Sequence, residues 1–576
     1  MNFPLSTRKT DVGRGNRAPH RFHGYPRYLL WTLLLGLVGS PLLLLLGVSF
    51  NVGDPEDFIP RELGVSNYSR LGQVAGSLWG TLELALGVMI LSTILGVTLA
   101  WIISRTTIRY KGLLTVLIIL PYPLGAMVMA LAWAALGSPR GGLLNAALEL
   151  IPGVENATLI NAYSLAGIVV VQSLFQTPVT FLLTQSALRN MDPSLEESSG
   201  ILGAGKLRTA LGVTIPLMLP AIIGAALFAF VSALGAFAIP AILGRQTDFR
   251  VVTHEVYLLV SAYPTDYPLA AVLGVILIAV SAVAVYLANL ILRKRTYAVV
   301  GGKASQGSLV DTGRWKYLLA SVVYGYIALA VVFPMLALVI GSLQKTGALD
   351  VTSLTWTLSN YSYALFEYPA TQQTVWNSLV LGVSTGLVGI ALATLIAITV
   401  ERTRRRGRPD NGLEQLAMAP QAVPRLIFSV PLLMLIILSP IRIYGSLFAI
   451  LLSYVIVFLP LAYRGMAAVV SQAHPSLEEA SRTLGASSLR TTLKITIPLL
   501  RSGIMSGAAL LFMVSFSELG ASILLMTPNS RVLGPVMFSF YDSGGISLVS
   551  ALAIIQAVIV LLVLIVLRRL GGRLFG

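Results

Sequence analysis

Cysteine is absent from this 576-residue chain and histidine occurs only four times. Disulfide frameworks, iron–sulfur clusters and Cys-based zinc sites are thereby excluded, and no metal site is expected in the chain. Charge is scarce as well: Asp, Glu, Lys and Arg make up 11% of the residues, against about 25% in soluble domains. There is no G-x-x-x-x-G-K-[ST] phosphate loop, because Gly302-Lys303 is followed by Ala304 and lacks the upstream glycine. No Ser-His-Asp set or metal-spaced histidine cluster occurs either, so the chain is not expected to be an enzyme. What is abundant is apolar surface, with 56% hydrophobic residues and a mean hydropathy of +0.81. That composition belongs in a bilayer. The formal charge of +16 does not point to nucleic acid, because the basic residues are parcelled between apolar runs and do not cluster on one soluble surface.

A helical span needs about 20 apolar residues, and twelve such runs are legible. The first six cover about 28–50, 76–103, 113–136, 164–188, 213–243 and 270–292; the second six cover 317–343, 377–400, 416–439, 446–463, 495–525 and 547–567. Lys and Arg accumulate in short cytoplasmic loops. With an inside amino terminus, 31 of the 40 basic residues fall on one side, in stretches such as Arg105 to Lys111, Arg402 to Arg408 and Arg464 to Arg501. Both termini are therefore expected in the cytoplasm. Residues 1–27 lack the apolar core of a signal peptide and read as a basic tail attracted to anionic lipid. The expected division is this tail, a six-span unit over 28–292, a basic linker over 293–315, a second six-span unit over 316–570 and a short tail over 571–576.

The two units are related by an internal repeat. Residues 193–216, PSLEESSGILGAGKLRTALGVTIP, and 475–498, PSLEEASRTLGASSLRTTLKITIP, match at 16 of 24 positions with a constant offset of 282. Farther upstream, Thr81-Leu82, Ala100 and Arg105-Thr106 align with Ser378-Leu379, Ala397 and Arg402-Thr403. Because each unit holds an even number of spans, the repeats run parallel and are related by an axis along the membrane normal. The fold class is thus all-α integral membrane, with about twelve transmembrane helices in two tandem six-helix units.

Each repeated segment lies between the fourth and fifth spans of its unit, on the basic side. Ser194 with Glu197, and Ser476 with Glu479, fit the S-x-x-E capping box. Gly203 and Gly485 stand where a helix stops, and Pro216 and Pro498 mark entry into the next span. The expected object is a short capped helix across the cytoplasmic face. Twin helices with matching Glu196, Glu197, Gly203 and Ala204, and Glu478, Glu479, Gly485 and Ala486, suit a partner of two-fold symmetry better than lipid does.

This pattern of Glu, Gly and Pro resembles the EAA loop of ABC-importer permeases, and the six-span units resemble type I permease domains of binding-protein-dependent transport systems in the bacterial inner membrane. The resemblance implies a permease without an ATPase site of its own. It implies two copies of an ATPase subunit, carrying ATP and magnesium, docked under the twin helices, and a substrate-binding protein outside. The fused form, Tyr297 to Lys303 and the run Ser517-Glu518-Leu519-Gly520-Ala521 are similar to ferric-iron permeases, although Ser517 replaces the usual arginine. Thiamine, a polyamine or an oxyanion stay open as cargo. So, from another class, does a channel or ion-driven carrier, which would work without nucleotide.

Ionisable residues inside spans are functional candidates, and Glu83, Arg425 and Glu518 qualify. Glu518 lies 20 residues past Pro498, about 30 Å along a straight helix, in the outer half of the bilayer. There it and Tyr541 could meet a hard cation such as ferric iron, or Glu518 could fix helix packing instead. Glu83 could equally touch headgroups, and Arg425 could serve a gate or an anchor. Phe228, Phe230, Phe512 and Met513 are read as core packing.

Overall fold

The computed structural model describes residues 25–139, 141–149, 151, 160–192, 194–293, 313, 315–345, 355–405, 407, 409–474 and 476–569. The tail over 1–24, nearly all of the linker with Tyr297 to Lys303, and the tail over 571–576 lie outside the described residues. Among those described there are no strands. Among the described residues nine helices are long and apolar enough to cross a membrane, or twelve if each of three bent pairs is one span. The chain is therefore an all-helical membrane protein of two tandem units.

The span faces follow from composition. On the second span, Ala75–Arg105, the exposed Trp79, Leu86, Ile90 and Ile94 form one stripe for lipid. Thr81, Leu84, Ala85, Val88 and Ser92 point into the bundle, where small residues let helices approach closely. In each unit the second span packs on the fourth and fifth spans. A hydroxyl on it also accepts the first amide of an outer helix: Thr81 from Val252 and Ser378 from Leu533, both at 2.8 Å.

The repeat reaches farther upstream than 81 and 378. The sequence Ser-Asn-Tyr-Ser recurs as a short helix at Ser66–Ser69 and Ser359–Ser362. Asn67 donates to the Asn51 carbonyl at 2.6 Å and Asn360 to the Gln344 carbonyl at 2.8 Å. Tyr68 meets Ser49 and Tyr361 meets Ser342. The first spans are thus part of the duplicated unit.

The structure corrects several span boundaries. The two third spans are broken, Lys111–Leu124 with Ala126–Leu136 at 98° and Asn411–Ala422 with Arg425–Leu438 at 108°. Proline is the cause: Pro121, Pro123 and Gly125 (φ +97°) turn the first, and Pro420 and Pro424 turn the second, where Val423 is held extended before Pro424. The expected fifth span, 213–243, stops at Leu234 and resumes as a separate helix, Ala238–Leu243. The expected eleventh, 495–525, bends by 73° between Leu499 and Arg501 and ends at Phe516. The tenth continues to Gln472, so Arg464 is a helix residue and not a loop residue.

The breaks meet where the units face each other. A Cβ on Gly125 would lie 2.7 Å from the Ser517 Cβ, and one on Gly235 would lie 3.1 Å from the Pro424 Cβ. These are reciprocal contacts, third span of one unit against fifth span of the other, and they enclose the centre of the molecule.

Candidate functional site

Two arrangements concentrate the polar chemistry of the chain: the repeated helices on the basic side and a cavity between the units.

The repeated helices are Ser194–Ile201 and Ser476–Thr483. Their starts differ from the expected capping box. Ser194 is already helical, and its amide donates to Asp192 Oδ1 at 2.9 Å; the Ser476 amide donates to His474 Nδ1 at 3.4 Å. The cap is therefore supplied two residues upstream, which leaves Glu197 and Glu479 with no capping work. That Ser194 amide holds the Asp192 carboxyl below its ordinary value.

The two glutamates of each pair have separate surroundings. Glu196 turns inward, 3.1 Å from Arg105 at the end of the second span, and accepts from Thr214 at 2.7 Å. Glu478 repeats this with Arg402 at 3.1 Å and Thr496 at 2.7 Å. Glu197 and Glu479 are exposed. Gly203 and Gly485 both have φ +83°. The amides of Ala204 and Ala486 reach back to the carbonyls of Ser199 and Ser481, each at 3.1 Å, in a Schellman stop. Beyond the stop, Pro216 and Pro498 sit in the first turns of the following helices, Ile215–Leu234 and Ile497–Leu499. At each tip a leucine is left in solvent, Leu202 at 87% and Leu484 at 88% exposure. A rigid foot results, tied to the second span by an ion pair and showing an acid and a leucine outward.

Burial pushes the Glu478 carboxyl up, but the hydrogen bonds from Arg402 and Thr496 and the charges of Arg402 and Arg482 outweigh it, so its pKa lies below the ordinary 4.5. The folded value is the lower one, so this contribution to stability is complete above the unfolded value and is lost as pH falls through the folded value. Arg402→Gln removes a hydrogen bond to a charged group, worth about 1.5–3 kcal/mol. It is expected to speed amide exchange across 476–483 at pH 7, with the gap to wild type closing in acid; unchanged exchange at pH 7 would contradict the arrangement.

The second arrangement is a central cavity of about 220 Å³ whose walls include Tyr122, Gln172, Arg425, Arg464 and Glu518. Arg425 Nη1 donates to Glu518 Oε2 at 2.5 Å, and Glu518 Oε1 accepts the Ala521 amide at 3.2 Å. Two candidates that stood apart in the sequence are thus partners. The straight-helix estimate of depth for Glu518 does not hold, since its helix is bent and has already ended. Arg425 also lies over the Phe458 ring, 5.1 Å from its centroid. Glu83 is elsewhere, exposed on the lipid stripe beside Trp79 and Leu86. Tyr541 is elsewhere too, on the helix Leu533–Asp542, where it meets Tyr163. Phe512 and Met513 are buried, but Phe228 faces the cavity.

The sequence reading placed Arg464 in a basic cytoplasmic loop and gave Gln172 no role. The repeat carried the signal: at the offset of 282, Arg464 and Glu518 correspond to Leu182 and Ala236. Charge confined to one copy of a duplicated unit marks a position that symmetry does not explain.

The family model described as binding-protein-dependent transport system inner membrane component matches residues 68–297 and 387–576. A ferric transport system permease protein of Actinobacillus pleuropneumoniae is 26% identical over 520 residues, covering 89% of this chain and 73% of that protein. A putative one of Haemophilus influenzae is 27% identical, covering 83% and 74%. Among solved structures, a bacterial alginate ABC transporter in complex with an alginate pentasaccharide-bound periplasmic protein aligns at 19% identity with a TM-score of 0.40, over 47% of this chain and 96% of that one. Two family matches, together spanning most of the chain and lying on the two six-span units, make this a multi-pass inner-membrane permease: the chain belongs to the binding-protein-dependent transport system inner membrane components of ABC importers.

Proposed function

We propose that this chain is a transmembrane permease subunit of a ferric-iron importer, with both termini in the cytoplasm. Two copies of an ATPase subunit dock beneath Ser194–Ile201 and Ser476–Thr483 and hydrolyse magnesium ATP, and an external binding protein delivers the cargo. The observation that carries this is the twin foot: an inward glutamate anchored to Arg105 or Arg402, and an exposed outward glutamate and leucine, without partners among the described residues, at the same places in both copies. A channel or an ion-driven carrier has no use for such a pair. Closure of the ATPases would push both feet, and each ion pair would pass the push to a second span, rocking one unit against the other across the Gly125–Ser517 and Gly235–Pro424 contacts. Similarity to two ferric permeases supports iron as the cargo.

The test is uptake of radioactive iron by vesicles holding the complete transporter. Uptake is expected to require ATP and the binding protein. Glu479→Lys reverses the outward charge on one foot and is expected to lower uptake roughly tenfold, the worth of one charge-assisted contact, without affecting membrane insertion. Iron uptake without nucleotide would defeat the importer reading, and ATP-driven uptake of another solute with none of iron would defeat the cargo assignment.

A further inference from the structure

The central cavity carries more positive than negative charge. Among the described residues its only acid is Glu518, whose side chain is 5% exposed and already engaged by Arg425 and the Ala521 amide. Two guanidinium groups share the wall. Arg425 keeps 41% of its side chain exposed, and Arg464 forms no ion pair among the described residues. Since Arg425 and Glu518 cancel, Arg464 leaves the cavity with one net positive charge.

The backbone adds to this. The second limbs of both broken third spans, Ala126–Leu136 and Arg425–Leu438, begin at the cavity, with Ala126, Met127, Arg425 and Leu426 in its lining. Neither start has a side-chain cap. The first amides of a helix lack intrahelical partners and form the positive end of its dipole, and broken helices inside membranes use such ends to hold anionic groups. Gln172, 4% exposed, also lines the space; its Oε1, which has no hydrogen-bond partner among the described residues, is an acceptor and takes a donor such as water or a protonated cargo oxygen, so the attraction for an anion rests on the guanidinium groups and the helix starts.

We propose that the central cavity accepts cargo as an anion: an oxyanion, or a metal ion whose coordination is filled by oxyanion ligands. Oxygen atoms of the cargo take hydrogen bonds from Arg464 and from the exposed edge of Arg425, with the two helix starts facing them. A bare cation meets a repulsive field there, because the Glu518 carboxylate is already neutralised by Arg425 and Arg464 is left over. This rests on the reading that the chain moves cargo between its two units, and it specifies the chemical form in which ferric iron would pass.

The experiment follows two labels through the complete transporter in liposomes: radioactive iron supplied as its citrate or phosphate complex, and the citrate or phosphate itself. Entry of both labels together is expected, with both falling roughly tenfold in Arg464→Gln, the loss of one hydrogen bond to a charged group, and recovering in Arg464→Lys. Entry of the oxyanion alone, with the same dependence on Arg464, supports the anion site and refutes iron as cargo. Entry of iron alone, undiminished in Arg464→Gln, refutes the anion site and leaves iron standing. Binding of inorganic phosphate to the full chain in nanodiscs is a second readout. Saturable binding that is lost in Arg464→Gln at unchanged thermal stability supports the site, and binding that does not depend on Arg464 overturns it.

Discussion

Gly485→Pro is expected to abolish transport while the chain still inserts and folds. Gly485 has φ +83°, and proline is confined near −65°. Its amide donates to the Arg482 carbonyl at 2.9 Å, a bond that proline cannot make. No atom lies within 4 Å of a Cβ at this position, so the loss cannot come from overpacking. The damage, about 3 kcal/mol or more for a proline in a forbidden conformation, falls on the turn that sets the foot against Ser488–Thr491 and Thr492–Thr496. Transport should drop to background while ATP hydrolysis persists without it. Gly485→Asn separates conformation from composition: asparagine tolerates the left-handed region and should keep most of the activity. Wild-type uptake by Gly485→Pro would show that this turn transmits nothing.

Glu518→Ala is expected to cost about 3 kcal/mol of stability, the low end for breaking a buried pair, because Arg425 keeps contact with the cavity. The carboxylate is 5% exposed and 2.5 Å from the guanidinium, so its removal leaves a second uncompensated cation in the cavity beside Arg464. The double variant Arg425→Ala with Glu518→Ala should be more stable than Glu518→Ala alone, since no unpaired charge is left. Thermal unfolding of the four proteins in one detergent measures this coupling. Additive losses would mean that the pair is not coupled in the folded protein. Rigid rocking of the units would not part these residues, because both belong to the second unit; the pair acts as a fixed feature of one wall.

Much of this molecule could be read from its sequence. Apolar runs of bilayer length, the sorting of Lys and Arg and the 282-residue repeat lead to a duplicated six-span membrane protein, because hydropathy and duplication are properties of the linear chain. The twin segments were equally visible, down to the glycine at each helix stop, since a Schellman turn is a local structure. Which glutamate of each pair faces inward was not visible. That choice depends on where Arg105 and Arg402 arrive, more than 70 residues away in sequence. The Asn67 and Asn360 clamps were missed for a different reason, as four-residue matches carry little weight until the fold shows that they do the same work.

Sequence alone determined the class of the protein and its two-fold plan, which follow from hydrophobicity and from duplication along the linear chain. Only the tertiary structure decided that Arg425 and Glu518 cancel each other, that Arg464 is left over, and that Glu83 and Tyr541 stand outside the cavity. Proline breaks redirect the helices at the centre, and once a helix has turned through about a right angle, counting residues along it no longer tells which side chains meet.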